Sequence, residues 1–273
     1  MLKVLNIQDL SSYTKSSGNI ALPLFEAANV DITLLPTSLL STQTDGWPKL
    51  YKADLTKDAF EIAKVWKEEG ISFDLVQVGY LASEEDFALI EYIFDNLLKK
   101  GGLIILDPVM GDNGEYYTED RKALLPKLKA LIKNNKSRMI ITPNYTEACF
   151  LLGLEPIFDV TFDINNFMNR LKELSSCEVV VTSLPDNSNA YRKEDGFVSV
   201  PYHHYPFSYP GTGDLFTSLF AISLCRKFDI ELALKWATKI ASESVLYSKE
   251  KGREYRDGVL IHQAMRRVME ECV

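Results

Sequence analysis

The stretch GLIILDPVMGD, residues 102–112, decides how the rest of the chain is read. Its apolar residues Leu103, Ile104, Ile105 and Leu106 run without a polar interruption. A strand reads this way when helices cover both faces of a parallel sheet. The run then stops at Asp107, a carboxylate followed directly by Pro108, and packing alone gives no reason for a charge there.

Working outward, similar runs occur at residues 3–7, 31–35, 74–78, 138–142 and 178–182, with 103–107 among them. Between them lie amphipathic stretches at 57–69, 84–100, 120–134 and 163–174. Strands alternating with helix-length segments imply βαβ units. Residues 191–202 read as a hairpin turning at Glu194-Asp195-Gly196. Three helical patterns follow, at 214–226, 230–249 and 258–271. With no linker, repeat or low-complexity segment, residues 1–273 read as one three-layer α/β/α domain with a mostly parallel sheet.

Composition narrows the function. The 273 residues carry a net charge of −8 and are 46% apolar, which suits a soluble protein with a sizeable core. The acidic balance argues against nucleic acid, which needs a basic face. It leaves room for a nucleotide, whose phosphates backbone N–H groups and a metal ion can hold. The decapeptide MLKVLNIQDL lacks a basic region followed by a long apolar run, and no stretch is long and apolar enough for a membrane span. A cytoplasmic protein is expected. Cys149, Cys177, Cys225 and Cys272 form no close pair and read as reduced. The three histidines, His203, His204 and His262, supply little for zinc or a nucleophile pair. If His203 and His204 lie on a strand, they face opposite ways. Acid–base work then falls to carboxylates.

In such sheets ligands gather outside the carboxyl ends of the strands. There the chain places Asp107 and Asp112, then Thr142, Asn144 and Glu147, then Thr182 and Ser183. Capping explains part of this, since Thr142 or Asn144 can start the next helix. Carboxylates converging without basic partners suggest Mg²⁺. The segment PGTGDLF, residues 210–216, adds two glycines that bring N–H groups close to an anion, just before a helix. Asp214 at this helix start reads equally as an N-cap or as a catalyst. No Walker A sequence is present, and Phe216 stands at the third glycine position of the dinucleotide fingerprint.

Taken in order, several motifs together resemble the pyridoxal/pyridoxamine kinases of the ribokinase-like superfamily. They are Gln8-Asp9-Leu10-Ser11, Ala21-Leu22-Pro23, Leu35-Pro36-Thr37 through Leu40-Ser41-Thr42, Gly79-Tyr80-Leu81, DPVMGD, TPNYTEA and PGTGDLF. The resemblance spans nearly the whole chain. It implies a ribokinase-like fold and transfer of a phosphoryl group from ATP to the hydroxymethyl group of pyridoxal, pyridoxine or pyridoxamine. Asp214 would be the base, with the N–H groups of Gly211, Thr212 and Gly213 as the anion hole. Asn144 and Glu147 would hold Mg²⁺ through water with Asp107 nearby, and Thr142 matches a position associated with a monovalent cation such as K⁺. Asp112, Asn144, Thr182 and Ser183 would serve ATP. Thr44 and Tyr80 would contact the pyridine substrate, with Asp9 and Ser11 near its ring substituents. A homodimer is also implied. Ser12, Thr14, Asp45 and Ala82 depart from glycines usual in bacterial members. Asp45 thereby adds a charge to residues 41–48, the segment expected to cover the substrate. A hydroxymethylpyrimidine kinase, a vestigial ligand-binding regulator and a sugar or nucleoside kinase, which would more often carry an added lid sheet that this sequence does not show, are the competing readings.

Overall fold

The computed structural model describes residues 2–135, 138–158, 162–171 and 177–271. Six parallel strands form the centre of a nine-stranded sheet. They are β1 (Lys3–Ser11), β2 (Asp31–Leu40), β4 (Phe73–Val78), β5 (Leu98–Leu106), β8 (Met139–Ile141) and β9 (Glu178–Leu184). Antiparallel strands close both edges: β3 (Lys52–Asp54) beside β2, and β10 (Ser188–Arg192) with β11 (Phe197–Pro201) beside β9. A separate two-stranded hairpin, β6 (Gly111–Asp112) and β7 (Glu115–Tyr116), follows the end of β5. The sheet order is β11-β10-β9-β8-β5-β4-β1-β2-β3.

Alternation along the strands feeds two cores. Leu5, Ile7, Ile104 and Leu106 enter one, with α2 (Thr56–Glu68), α3 (Glu85–Asn96), α4 (Glu119–Asn135), α5 (Tyr145–Leu152) and α6 (Ile164–Arg170). Val4, Leu75, Ile105 and Val180 enter the other, against α1 (Gly18–Ala27), α7 (Thr212–Cys225), α8 (Ile230–Glu250) and α9 (His262–Glu271). The expected three-layer fold is therefore the observed one, and the uninterrupted apolar strands reflect cover on both faces.

Several local expectations change. The helix α1 was not expected, because its sequence GNIALPLFEA holds Pro23, a residue that ordinarily interrupts a helix, within a mostly apolar run. The pattern at 84–100 divides, since α3 stops at Asn96 and Leu98 already pairs with Phe73. Helix α7 begins at Thr212 rather than Asp214, and α9 begins at His262 after a 3₁₀ turn at Tyr255–Asp257. The end of the pattern at 163–174 lies outside the described residues, as does Cys272. His203 and His204 are exposed in an irregular segment, not on a strand.

Candidate active site

Three parallel strands, β5, β8 and β9, deliver their carboxyl ends to one cleft. Its walls include Asp107, Thr142, Asn144, Glu147, Thr182 and Asp214. Asp107 follows β5 directly, and its N–H donates to Val78 O at 2.9 Å, which continues the ladder. Its Oδ2 accepts from Thr217 Oγ1 at 3.0 Å, and Thr217 also lies 3.4 Å from Thr142 Oγ1. Next in the cleft comes Val109, a β-branched residue at φ 45, a conformation that its Cβ disfavours. Backbone strain of this kind concentrates at functional sites.

The capping reading holds for Asn144. Its Oδ1 accepts from Glu147 N at 2.9 Å, while Glu147 Oε2 accepts from Asn144 N at 2.9 Å, a reciprocal capping box at the start of α5. Each side chain also reaches the turn after β5. Asn144 Nδ2 donates to Gly111 O at 2.8 Å, and Glu147 Oε1 accepts from Met110 N at 2.7 Å. Both oxygens of Glu147, which is 2% exposed, are thus engaged by N–H groups. Glu147→Leu leaves one buried and one part-buried donor unpaired, at up to roughly 1–3 kcal/mol each. Thermal melting should show a clear loss of stability, with Glu147→Gln, which keeps one acceptor, losing about half as much.

Asp214 does not cap its helix. Gly211 is the cap residue of α7, at φ 85, and makes no side-chain bond. The first intrahelical bond runs from Leu215 N to Gly211 O at 2.9 Å, so the N–H groups of the cleft residues Gly213 and Asp214 have no helical partner. Thr212 leans back, its N–H 3.3 Å and its Oγ1 2.7 Å from Tyr209 O. The carboxylate of Asp214 crosses instead to α1, where Oδ2 accepts from Ser17 N at 2.9 Å. Burial pushes Asp214 up to about 8, with the charges of Asp9 and Asp107 adding and the Ser17 N–H opposing. Burial likewise pushes Asp107 up to about 6 against its bond from Thr217. Glu147 is raised further by burial and then by the charge of Asp107.

Carboxylates crowded together without a basic partner favour a cation. Among the described residues no group of three His, Cys, Asp or Glu side chains converges closely enough to chelate a metal directly. Since the Glu147 oxygens already accept from backbone N–H groups, the donor set fits a hydrated divalent ion touched mainly by Asp107. This suits Mg²⁺, which keeps several waters.

The remaining expected residues are distributed more widely. Thr182 lines the cleft and its N–H donates to Pro143 O at 2.9 Å. Ser183, at φ 56, and Asp112 are exposed near the rim. Asp9 is buried and accepts from Ser17 Oγ at 2.6 Å and Ser11 Oγ at 3.3 Å, and burial raises its pKa. Tyr80 carries the Arg121 guanidinium 4.1 Å from its ring centre and Lys52 Nζ at 5.5 Å. Thr44 is exposed and is not among the cleft walls. Asp45 accepts from Tyr255 OH, and Trp47 Nε1 donates to Arg256 O at 2.8 Å, so this segment is tied to the C-terminal turn. Ser12, Thr14, Asp45 and Ala82 have no positive φ, and the buried Thr14 accepts from Gln43 N at 2.6 Å. Ser17, Val109 and Thr217 were not singled out from the sequence. Only Thr217 left a signal there, lying three residues beyond Asp214 on one helix face.

A family profile described as phosphomethylpyrimidine kinase matches residues 25–257. A Caenorhabditis elegans protein, provisionally named a pyridoxal kinase, is 35% identical over 159 residues, which is 55% of this chain. The match spans about half of that relative's own length, 48%. The crystal structure of pyridoxal kinase from Lactobacillus plantarum superposes with a TM-score of 0.89 at 26% identity, covering 99% of this chain and 98% of that one. A Bacteroides thetaiotaomicron protein, provisionally named a phosphomethylpyrimidine kinase and crystallised with pyridoxal, gives 0.83 at 28% identity, covering 98% and 95%.

Proposed function

The chain belongs to the phosphomethylpyrimidine kinase family, and from that premise we propose that it transfers the terminal phosphoryl group of ATP to the hydroxymethyl group of a vitamin B6 vitamer. The observation that carries this reading is Asp214: a half-buried carboxylate at the start of a glycine-capped helix, held by one oxygen from outside that helix. Its other oxygen, Oδ1, takes the proton as the substrate oxygen bonds to the γ-phosphorus and the bond to ADP breaks. The N–H groups of Gly211 and Gly213 steady the transferring oxygens, because catalysis of this step is mostly positioning and electrostatic stabilisation. Asp107, with Glu147 and Asn144 holding the turn beside it, would hold a hydrated Mg²⁺, which would supply neutralisation of the phosphate charge. Asp112, Thr182 and Ser183 would lie along the nucleotide, and Thr142 beside a monovalent cation such as K⁺. Asp9, Ser11 and Tyr80 would meet the pyridine ring. Thr44 would reach it only if residues 41–48 leave their ties to Arg256 and Tyr255.

Support for a pyridine substrate comes from the Bacteroides thetaiotaomicron relative crystallised with pyridoxal. The family description favours a second reading, phosphorylation of hydroxymethylpyrimidine by the same machinery. Steady-state ATP consumption against pyridoxal, pyridoxine, pyridoxamine and hydroxymethylpyrimidine separates the two. Turnover of at least one vitamer, abolished by EDTA and restored by Mg²⁺, is the expected result; no turnover of any vitamer overturns the B6 reading, and a rate that survives chelation overturns the metal's role. We further expect a cytoplasmic homodimer, and light scattering at a monomer mass across micromolar concentrations would refute the dimer.

A further inference from the structure

Ser17 stands where a helix cap should be and does not behave as one. A serine preceding a helix ordinarily turns its hydroxyl onto an N–H of the first turn. Ser17 precedes α1, yet makes no such bond. Its Oγ donates to Asp9 Oδ1 at 2.6 Å, and its N–H donates to Asp214 Oδ2 at 2.9 Å. Its C=O accepts from Ile20 N at 2.9 Å and Ala21 N at 3.1 Å, which starts α1. Each polar group of this 7% exposed residue therefore has a separate anchor.

The backbone makes the arrangement more telling. Ser17 lies at φ 48, ψ −124, a conformation that glycine adopts freely and a residue with a Cβ does not. Such outliers persist only where the surroundings over-determine them. Here the hydroxyl bond to Asp9 is what a glycine could not supply. We propose that Ser17 is a positioning residue that holds the base and the substrate-side acid in one register. It fixes Asp214 by Oδ2, leaving Oδ1 for the substrate proton, and fixes Asp9 at a set offset from that oxygen. A ring seated against Asp9 is thereby aligned with the base. The role rests on the kinase reading above, in which Asp214 accepts the hydroxyl proton.

The test uses Ser17→Gly, Ser17→Ala, Asp9→Asn and the Ser17→Gly/Asp9→Asn double variant of the full chain, with kcat, KM and melting temperature measured for each. Ser17→Gly relieves the backbone while removing the hydroxymethyl group, so it should melt at or above wild type while kcat falls at least tenfold. KM for ATP should stay within about twofold. Ser17→Ala keeps the strained backbone and should melt below Ser17→Gly with a similar loss of kcat. In the double variant the losses should be distinctly less than the product of the single ones, as for residues that act through one bond. Wild-type kcat in Ser17→Gly, losses that multiply fully, or a kcat that simply follows melting temperature would each overturn the role. Wild-type protein inactive on every hydroxymethyl substrate would overturn the kinase reading and this role with it, an outcome distinct from an active wild type with an indifferent Ser17.

Discussion

Asp214→Asn lowers turnover by roughly 10²–10⁴, the usual contribution of a positioned general base, while the protein folds as before. The carboxamide Oδ1 can still accept from Ser17 N, and no cap bond is lost because Asp214 makes none. The same variant should be more stable than wild type in alkaline solution. Burial raises Asp214 from its ordinary 3.8 to about 8, so the folded protein binds this proton more tightly than the unfolded chain does. Stability from this source is fully present below pH 3.8 and is lost as the pH rises to about 8. Above that, wild type carries a buried charge that the neutral asparagine avoids. Melting curves between pH 4 and 9 should show the variant's advantage growing with pH. A variant that keeps near-normal turnover would remove Asp214 from the chemistry. One that melts equally at every pH would show that the carboxylate is not destabilised by burial.

Gly211→Ala should be nearly as damaging, by a different route. The residue sits at φ 85, and an added Cβ would lie 2.7 Å from Ile20 Cδ1 and 2.8 Å from the backbone O of Lys15. The Ile20 side chain can give way; the backbone oxygen cannot do so without moving the segment that carries Ser17. A left-handed conformation costs an L-residue about 1–2 kcal/mol on its own. The turn must therefore shift, and with it the N–H groups ahead of α7. Misplacing one such donor costs about 10²–10³ in kcat. Gly213→Ala is the control, because Gly213 has no positive φ and its nearest neighbour is Asp107 Oδ2 at 4.0 Å. Inside a helix the exchange favours alanine by about 1 kcal/mol. Gly213→Ala should melt at or above wild type, whereas Gly211→Ala melts below it. Equal melting of the two variants would show that the turn tolerates a side chain at both positions.

Much of the fold was open to reading because the relevant signals are local. Doubly covered strands announce themselves by apolar runs such as Leu103–Leu106, and helices such as α2 by one apolar stripe. The hairpin of β10 and β11 was marked by Gly196, which does adopt φ 91. Where the signal was not local, the reading slipped. Helix α1 runs through Pro23, held in place by packing against the sheet, and the passage from α3 into β5 occurs within two residues, between Asn96 and Leu98.

The candidate site divides along the same line. The sequence by itself determined that Asp107, Thr142, Asn144, Thr182 and the glycine turn stand at one edge of the sheet, since strand ends in a parallel α/β fold share that edge. It could not decide between cap and base for Asp214, because both roles begin a helix after glycine. Only the tertiary structure removed the cap reading, by turning the carboxylate to Ser17, 197 residues away in the chain. In the same way it drew Asp45 to Tyr255, 210 residues distant, and left Thr44 outside the cleft. Periodicity and turn chemistry reach only a few residues. Bonds between segments this far apart depend on how α1 and α7 pack on a common face of the sheet and on where the C-terminal turn comes to rest.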